Sequence, residues 1–174
     1  MTELPLSTVG YLIRGPRGRE EIFLGTKAPT PKAIKRKIAG KLIGYGGDFD
    51  PGIDRSIAGC FARELAEESG FRIDPADAEV KACILIKDEN GPRLTLCYIF
   101  VRKWTGDEAG ESREMHSARW YPTDPLPDDI LAADKIVLPR LLKGEKIAGW
   151  IEYDAHMNVI AYDISPVDSL DMSA

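Results

Sequence analysis

The sequence predicts a single domain of mixed α/β (α+β) class, in which helices cover the faces of one mixed sheet. Three observations point there. Short apolar or alternating runs lie on both sides of a central segment with helical periodicity. A second helical pattern comes late in the chain, after most of the strands. No segment repeats and no linker divides the sequence, so residues 1–174 read as one unit, with a core over about 7–164 and a frayed tail at 165–174.

The elements follow in order. Ser7 to Arg14 and Glu20 to Lys27 are β-prone runs around Gly15-Pro16-Arg17-Gly18, the composition of a hairpin turn. A loop rich in Pro and Gly leads to Asp50-Pro51-Gly52. Helical periodicity then runs from about Asp54 to Ser69, with Asp54 as N-cap and Gly70 just past the end, where a left-handed residue is favoured. Glu79–Lys87 and Arg93–Trp104 form a second strand pair around Asp88-Glu89-Asn90-Gly91, with Leu94, Leu96, Tyr98 and Phe100 in period two. A polar stretch from Thr105 to Arg113 precedes a short strand at Ser117–Tyr121. Pro127–Lys143 is helical in pattern; Asp128 and Asp129 suit its start, and Pro139 should bend or divide it. Lys146–Tyr153 and Val159–Ile164 make the last strand pair.

Composition narrows the function classes. The net charge of −5 argues against a general nucleic-acid binder, whose footprint would be basic. No apolar run approaches the roughly 20 residues that span a bilayer, and the N-terminus lacks a basic segment before an apolar one. A cytoplasmic address without a membrane partner is expected, and no feature specifies an oligomeric state. Cys60, Cys83 and Cys97 are odd in number and widely spaced, so they read as buried small hydrophobes, not a disulfide framework. With His116 and His156 the only histidines, a nucleophilic Cys/His pair is not expected. Charge placement is more informative than its sum: between Ala28 and Gly47 no acid appears, whereas Lys32, Lys35, Arg36, Lys37 and Lys41 crowd the segment. Alone that is a solvated basic loop. Directly ahead of a glycine and acidic motif, it also suits phosphate.

The acidic motif carries the chemistry. Glu64, Glu67 and Glu68 stand at i, i+3 and i+4, on one face of the helix. At about 100° per residue, Glu64 and Glu68 fall within roughly 20° of Ile57, inside the apolar stripe that also holds Cys60 and Phe61. Carboxylates turned inward at a helix C-terminus, against the macrodipole, need positive charge, and Arg63 alone cannot neutralise three. Two readings stay open on spacing alone: a hard-cation site of clustered oxygens, or a salt-bridged acid face.

Arg63-Glu64-Leu65-Ala66-Glu67-Glu68-Ser69-Gly70-Phe71 also matches the second half of the pattern G-x5-E-x7-R-E-U-x-E-E-x-G-U, where U is bulky and apolar. By this motif the chain resembles the Nudix hydrolases. The first half departs: Phe49 and Arg55 stand where the opening glycine and first glutamate belong, while Gly46 and Gly47 lie upstream, as though two residues were added around Asp50-Pro51-Gly52. In that family the first glutamate orients the arginine, a duty Asp54 or Asp50 could assume here. Lys41 to Gly47, Ser112 to Trp120, Leu131 to Pro139 and Lys146 to Trp150 are similar to segments of the MutT-like branch that hydrolyses oxidised-purine nucleoside triphosphates, so the resemblance spans about Thr8 to Ile164.

The resemblance implies an α/β/α sandwich and a catalytic set of Glu64, Glu67, Glu68 and Glu114. The same four, with the Gly47 backbone, would hold Mg²⁺, or Mn²⁺ in its place. Thr8, Lys27, Gly46 and Gly47 would meet the substrate, with Asp134 at the base; apart from the resemblance, Trp120 is the one tryptophan kept as a stacking candidate, packing being the plainer reading of it. The implied reaction is hydrolysis of a nucleoside triphosphate, an oxidised purine such as 8-oxo-dGTP among them, to monophosphate and pyrophosphate. Alternatives are another nucleoside diphosphate-linked substrate (ADP-ribose or a dinucleotide), or a degenerate domain that binds a nucleotide without cleaving it. In the base pocket of that branch an asparagine is replaced by Ile43, a stacking tryptophan by Leu131, and one of two aspartates by Ala133, leaving Asp134. Trp104 and Trp150 read as core or rim packing, His116 as a surface residue near Glu114.

Overall fold

A computed structural model describes residues 3–106 and 112–170. In chain order the described elements are β1 (Leu6–Arg14), β2 (Glu21–Lys27), α1 (Pro31–Lys35), β3 (Leu42–Ile43), α2 (Ile57–Ser69), β4 (Glu79–Asp88), β5 (Gly91–Val101), β6 (Met115–Pro122), α3 (Ala132–Leu142), β7 (Ile147–Tyr153) and β8 (Val159–Pro166), with a 3-10 turn at Pro75–Asp77. Much of the polar stretch expected at 105–113 and the end of the tail lie outside the described residues.

The strands form one mixed sheet in the order β3-β2-β1-β5-β4-β7-β8, with β6 antiparallel to β2. Pairs β1/β5 and β4/β7 are parallel, whereas β4/β5 and β7/β8 are antiparallel. Alternation along the central strands divides the core into two layers. Tyr11 and Ile13 of β1 and Tyr98 and Phe100 of β5 pack with Val137, Leu138 and Leu141 of α3. Leu12, Cys97, Ile99 and Val101 pack with Ile57, Phe61 and Leu65 of α2. Helices therefore cover both faces, the expected sandwich. Gly10 lets α2 approach closely: a Cβ there would come within 2.1 Å of the Phe61 ring. Truncating the fully buried Phe61 would cost on the order of 3–5 kcal/mol.

Helix α2 starts three residues later than expected. Ser56 is its N-cap, its side chain accepting from the Gly59 N–H at 3.0 Å, because the Asp54 carboxylate is committed elsewhere. Gly70 ends the helix with φ 79°. Helix α3 begins at Ala132 and continues across Pro139, so the anticipated break is absent. Asp128 and Asp129 precede it in a turn, where the Asp129 carbonyl accepts from the Leu42 N–H; Asp134 is the acid of its first turn. Strand β8 continues past Ile164 to Pro166, and the Val167 N–H donates to the Lys146 carbonyl, so residues 165–167 belong to the sheet and not to a frayed tail. Cys83 and Cys97, distant in sequence, face each other across β4 and β5 with sulfurs 3.2 Å apart.

Strands β1 and β2 pair directly only at Ile13/Ile22 and Arg14/Glu21, next to their turn. Beyond that they splay, and the segment from Ile43 to Phe49 enters the gap. Ile43 pairs with Gly25, Tyr45 bridges Gly10, and Asp48 bridges Ser7. Gly46 and Gly47 are thereby fixed against β1, opposite the C-terminal turns of α2.

Candidate active site

Insertion of the glycine segment depends on the absence of side chains. Gly46 has φ 156°, and a Cβ there would lie 2.1 Å from the Thr8 carbonyl oxygen. At Gly47 a Cβ would fall 2.3 Å from Cδ of Glu64. The Glu64 carboxylate thus rests directly on the glycine backbone. Thr8 fixes the other side: its N–H donates to the Gly47 carbonyl at 2.8 Å, and its hydroxyl contacts the same oxygen at 3.3 Å. Gly47 thus contributes space for Glu64, and its carbonyl oxygen, the backbone acceptor nearest the acids, is shared with β1. Thr8 lines the adjoining cavity, though its hydroxyl already has a partner.

Arg63 is held from behind. Asp54, with its side chain only 2 % exposed, accepts from Arg63 Nε at 2.9 Å and Nη2 at 2.8 Å. Nη2 also donates to the Asp48 carbonyl, and Nη1 donates to Glu64 at 2.7 Å and to Glu67 at 3.4 Å. The two added residues form a turn in which Asp54 and Ile53 donate backbone N–H groups to the Asp50 carbonyl; the Asp50 N–H returns to the Asp54 carboxylate. The expanded loop therefore delivers an acid to Arg63 from Asp54, and Arg55 stays exposed.

Lys27 meets the acids from the sheet side. Its Nζ lies 2.8 Å from Glu114 and 3.5 Å from Glu68. A register shift in the β2/β6 pairing accompanies Ser117 at φ 50°, and the Glu114 carbonyl accepts from the Ala28 N–H, which seats Glu114 beside Lys27. Glu68 is buried, and its second oxygen accepts from the Gly46 N–H at 3.2 Å. Burial pushes the Glu68 carboxyl up to about 7 against the pull of the Lys27 ammonium, and Glu114 adds to the rise. Lys27 holds Glu114 below the ordinary glutamate range despite partial burial. Glu67 differs from the other box glutamates in exposure: its side chain is 60 % exposed, and its contact is with Arg63 at 3.4 Å.

That cavity, 1080 Å³, is lined at one end by Thr8, Lys27, Gly46, Gly47, Glu64 and Glu114. The basic segment supplies part of its rim, and α1, capped by Thr30, orders what the sequence suggested was a plain loop. Lys32 and Arg36 do not simply face solvent: both pair with Asp48, which Ser7 also contacts. Their guanidinium and ammonium groups, with the Ser7 hydroxyl, pull the Asp48 carboxyl down to about 2 although burial opposes them.

Of the residues expected at the base, Trp120 lies away from the cavity and Asp134 borders it with its carboxylate already engaged. Trp120 packs on Phe23 at 5.0 Å between ring centroids, with the Arg14 guanidinium over its ring, on the α2 side of the sheet and not along the cavity. Asp134 borders the cavity but is 1 % exposed, and both carboxylate oxygens are taken, by Tyr11 at 2.8 Å and Tyr98 at 2.9 Å. Tyr98 stood out in the sequence only through its period-two register with Leu94, Leu96 and Phe100, and Tyr11 not at all; the only signal for it is its inward register with Ile13.

The fit of a divalent cation can be judged from this charge pattern. Among the described residues no three Asp, Glu, His or Cys side chains stand close enough to hold an ion in this arrangement. Lys27 lies between Glu68 and Glu114, and Arg63 holds Glu64. Yet these ion pairs set Asp48, Asp54, Glu64, Glu67, Glu68 and Glu114 against only Lys27, Lys32, Arg36 and Arg63, leaving two negative charges unmatched. The donors are hard oxygens, the type Mg²⁺ prefers. Glu64, Glu68 and Glu114 are the carboxylates on which such an ion would draw.

The NUDIX domain model matches residues 4–141, most of the chain. The chain belongs to the Nudix hydrolase family. No curated protein matches it in sequence. Among solved structures, the mutator MutT protein of Bacillus halodurans is similar with a TM-score of 0.71, at 20% identity over 93% of this chain and 98% of that one. The MutT protein of Methanosarcina mazei gives a TM-score of 0.61, at 18% identity over 82% and 97%. The Nudix domain of Shewanella oneidensis NrtR, complexed with ADP ribose, gives 0.59, at 16% identity over 79% and 85%. At these identities the likeness is one of fold. No described helix is long and apolar enough to cross a membrane.

Proposed function

We propose that this Nudix domain hydrolyses the phosphoanhydride of a nucleoside triphosphate, releasing monophosphate and pyrophosphate, in a reaction that depends on Mg²⁺ or Mn²⁺. The observation that carries the reading is the pairing of Glu68 and Glu114 with Lys27, beside Glu64 on the Gly47 backbone and the Gly46 N–H that Glu68 accepts, at one end of a cavity with a basic rim. Glu64, Glu68 and Glu114 would hold the metal, which when bound would supply neutralisation of phosphate charge and acidification of a water. Lys27 transfers its ammonium from Glu68 and Glu114 to the phosphates, freeing both acids. Glu114, which lines the cavity and is freed when Lys27 turns to the phosphates, accepts the attacking water's proton. Arg63, clamped by Asp54, orients Glu64.

The non-hydrolysing alternative loses its main support, because the acid missing at Arg55 is supplied by Asp54. A nucleoside diphosphate-linked substrate such as ADP-ribose remains the second reading; the cavity of 1080 Å³ has room for a molecule of that size. Nothing in the walls singles out an oxidised purine such as 8-oxo-dGTP. The test is a panel of canonical and oxidised nucleoside triphosphates, ADP-ribose and dinucleoside polyphosphates, with and without Mg²⁺. Metal-dependent pyrophosphate release from triphosphates is expected; AMP released from ADP-ribose alone would select the second reading.

A further inference from the structure

Cys83 of β4 and Cys97 of β5 are direct partners in the antiparallel pairing, and their sulfurs are 3.2 Å apart. Directly opposed residues of such a pair have Cα atoms about 4.5–5.5 Å apart, inside the roughly 4.4–6.8 Å that a disulfide spans. Bonded sulfurs stand about 2.05 Å apart, so these two must close by only about 1 Å, which side-chain rotation covers without moving either strand. A metal is the weaker reading of two facing thiols. Among the described residues no third Asp, Glu, His or Cys joins them, whereas a structural zinc takes four ligands.

The two thiols are unequal. Cys97 is fully buried, while Cys83 is half-buried and is the outer member of the pair. Contact with Cys97 holds the Cys83 thiol below its ordinary range against the effect of burial, and the same contact, together with burial, raises Cys97. Thiolate therefore concentrates on the more accessible sulfur, the one a solvent-borne oxidant reaches first. Cys60, the third cysteine, is a bystander: it lies in α2, fully buried, with its sulfur 3.7 Å from the Thr8 hydroxyl.

We infer that Cys83 and Cys97 are a redox pair oxidised by peroxide, whose disulfide reversibly staples β4 to β5 in the middle of the sheet. The Cys83 thiolate attacks one oxygen of hydrogen peroxide; the O–O bond breaks, hydroxide leaves and is protonated to water, and Cys83 becomes a sulfenic acid. Cys97 then attacks that sulfur. The S–S bond forms, the S–O bond breaks, and the departing hydroxide takes up the Cys97 proton as a second water. In all, the two thiols give up two electrons and two protons, and the peroxide is reduced to two waters. A dithiol reverses the change by exchange. The staple joins residues 14 positions apart, and Cys97 stands opposite Thr8 of β1, whose N–H seats the Gly47 carbonyl. Closing a loop of that length restricts the unfolded chain, so the oxidised protein is the more stable form.

The experiment treats the full chain with a modest excess of hydrogen peroxide in the presence of a chelator, then alkylates the remaining thiols with N-ethylmaleimide under denaturing conditions. Before alkylation the intact mass should fall by two hydrogens. One thiol in place of three should then be alkylated, and peptide mapping should find Cys83 linked to Cys97. The Tm should rise by about 5 °C or more, and dithiothreitol should restore the starting mass and Tm. Cys60→Ser should form the same link. In Cys97→Ser, or Cys97→Ala if the first variant does not fold, Cys83 should instead gain oxygen and the Tm should not rise. Three thiols left unmodified overturn the inference, as does a link through Cys60 or between two chains. A Cys83–Cys97 link that leaves the Tm unchanged or lower overturns the staple.

Discussion

Asp54 grips Arg63 with both carboxylate oxygens, Oδ1 accepting from Nε at 2.9 Å and Oδ2 from Nη2 at 2.8 Å. The pair links the expanded loop to the acidic helix, since Arg63 in turn holds Glu64 at 2.7 Å. Asp54→Ala should lower kcat/KM by about 10–100-fold, the usual scale for losing an outer group that orients a ligand. Stability should fall by about 2 kcal/mol, as a buried charge-assisted hydrogen bond is lost. Arg55→Ala, on the exposed neighbour, should change neither. Steady-state kinetics and urea denaturation of the two variants check this, and equal effects would count against Asp54 as the clamp.

Glu68→Gln separates function from stability. The Glu68 carboxyl is raised to about 7 by burial, so its stabilising contribution is complete below about 4.5 and is lost as pH rises through 7. At pH 8 the metal-free enzyme carries an ionised, desolvated carboxylate, which the variant removes. The metal-free Tm of Glu68→Gln should therefore exceed that of wild type at pH 8, with the difference shrinking at pH 5, while kcat drops by about 100-fold or more. A lower Tm at pH 8 would contradict the assignment of Glu68 as a strained, charge-seeking acid.

Gly46 and Gly47 fail differently when given a methyl group. Gly47→Ala places its Cβ 2.3 Å from Glu64, a side chain that can turn away, so kcat/KM should fall sharply with a modest loss of Tm. Gly46→Ala places Cβ 2.1 Å from the Thr8 carbonyl, on backbone that cannot yield without unpairing the inserted segment from β1. Its Tm should fall further than that of Gly47→Ala. Thermal denaturation beside initial rates distinguishes the two.

Asp134 gives a pH signature of its own. Burial raises it to about 6 although Tyr11 and Tyr98 donate to it, so its contribution to stability is intact below about 4 and disappears as pH climbs through 6. Asp134→Asn, which keeps a polar group of the same shape, should gain stability relative to wild type between pH 4 and pH 7, by at most about 3 kcal/mol. A pH-independent difference in unfolding free energy would mean that Asp134 titrates normally.

Much of the catalytic end was legible in the sequence, because the chemistry of Arg63 to Gly70 is compressed into one helix whose periodicity shows which acids face inward. Glu68 is indeed buried and Glu64 largely so, with its side chain 16 % exposed, whereas Glu67 lies on the open flank. The capping of α2 was misread because Asp54 and Ser56 are both good caps, and only the position of Arg63 shows that Asp54 is already engaged. The far end of the cavity was less accessible to such reasoning. Asp134 meets Tyr11 across 123 positions and Tyr98 across 36, contacts set by strand order and not by any local spacing. Trp120 was misplaced for a related reason: strand alternation gives two possible faces, and its register against Phe23 selects the α2 side.

The most direct measurement of the central claim is Mg²⁺-dependent pyrophosphate release from a nucleoside triphosphate by wild type and by the double variant Glu64→Gln/Glu68→Gln, both shown to be folded by their melting curves. The wild type should be active only with the metal, and the double variant should lose activity by orders of magnitude. Undiminished turnover in the double variant would contradict a reaction centred on these two glutamates.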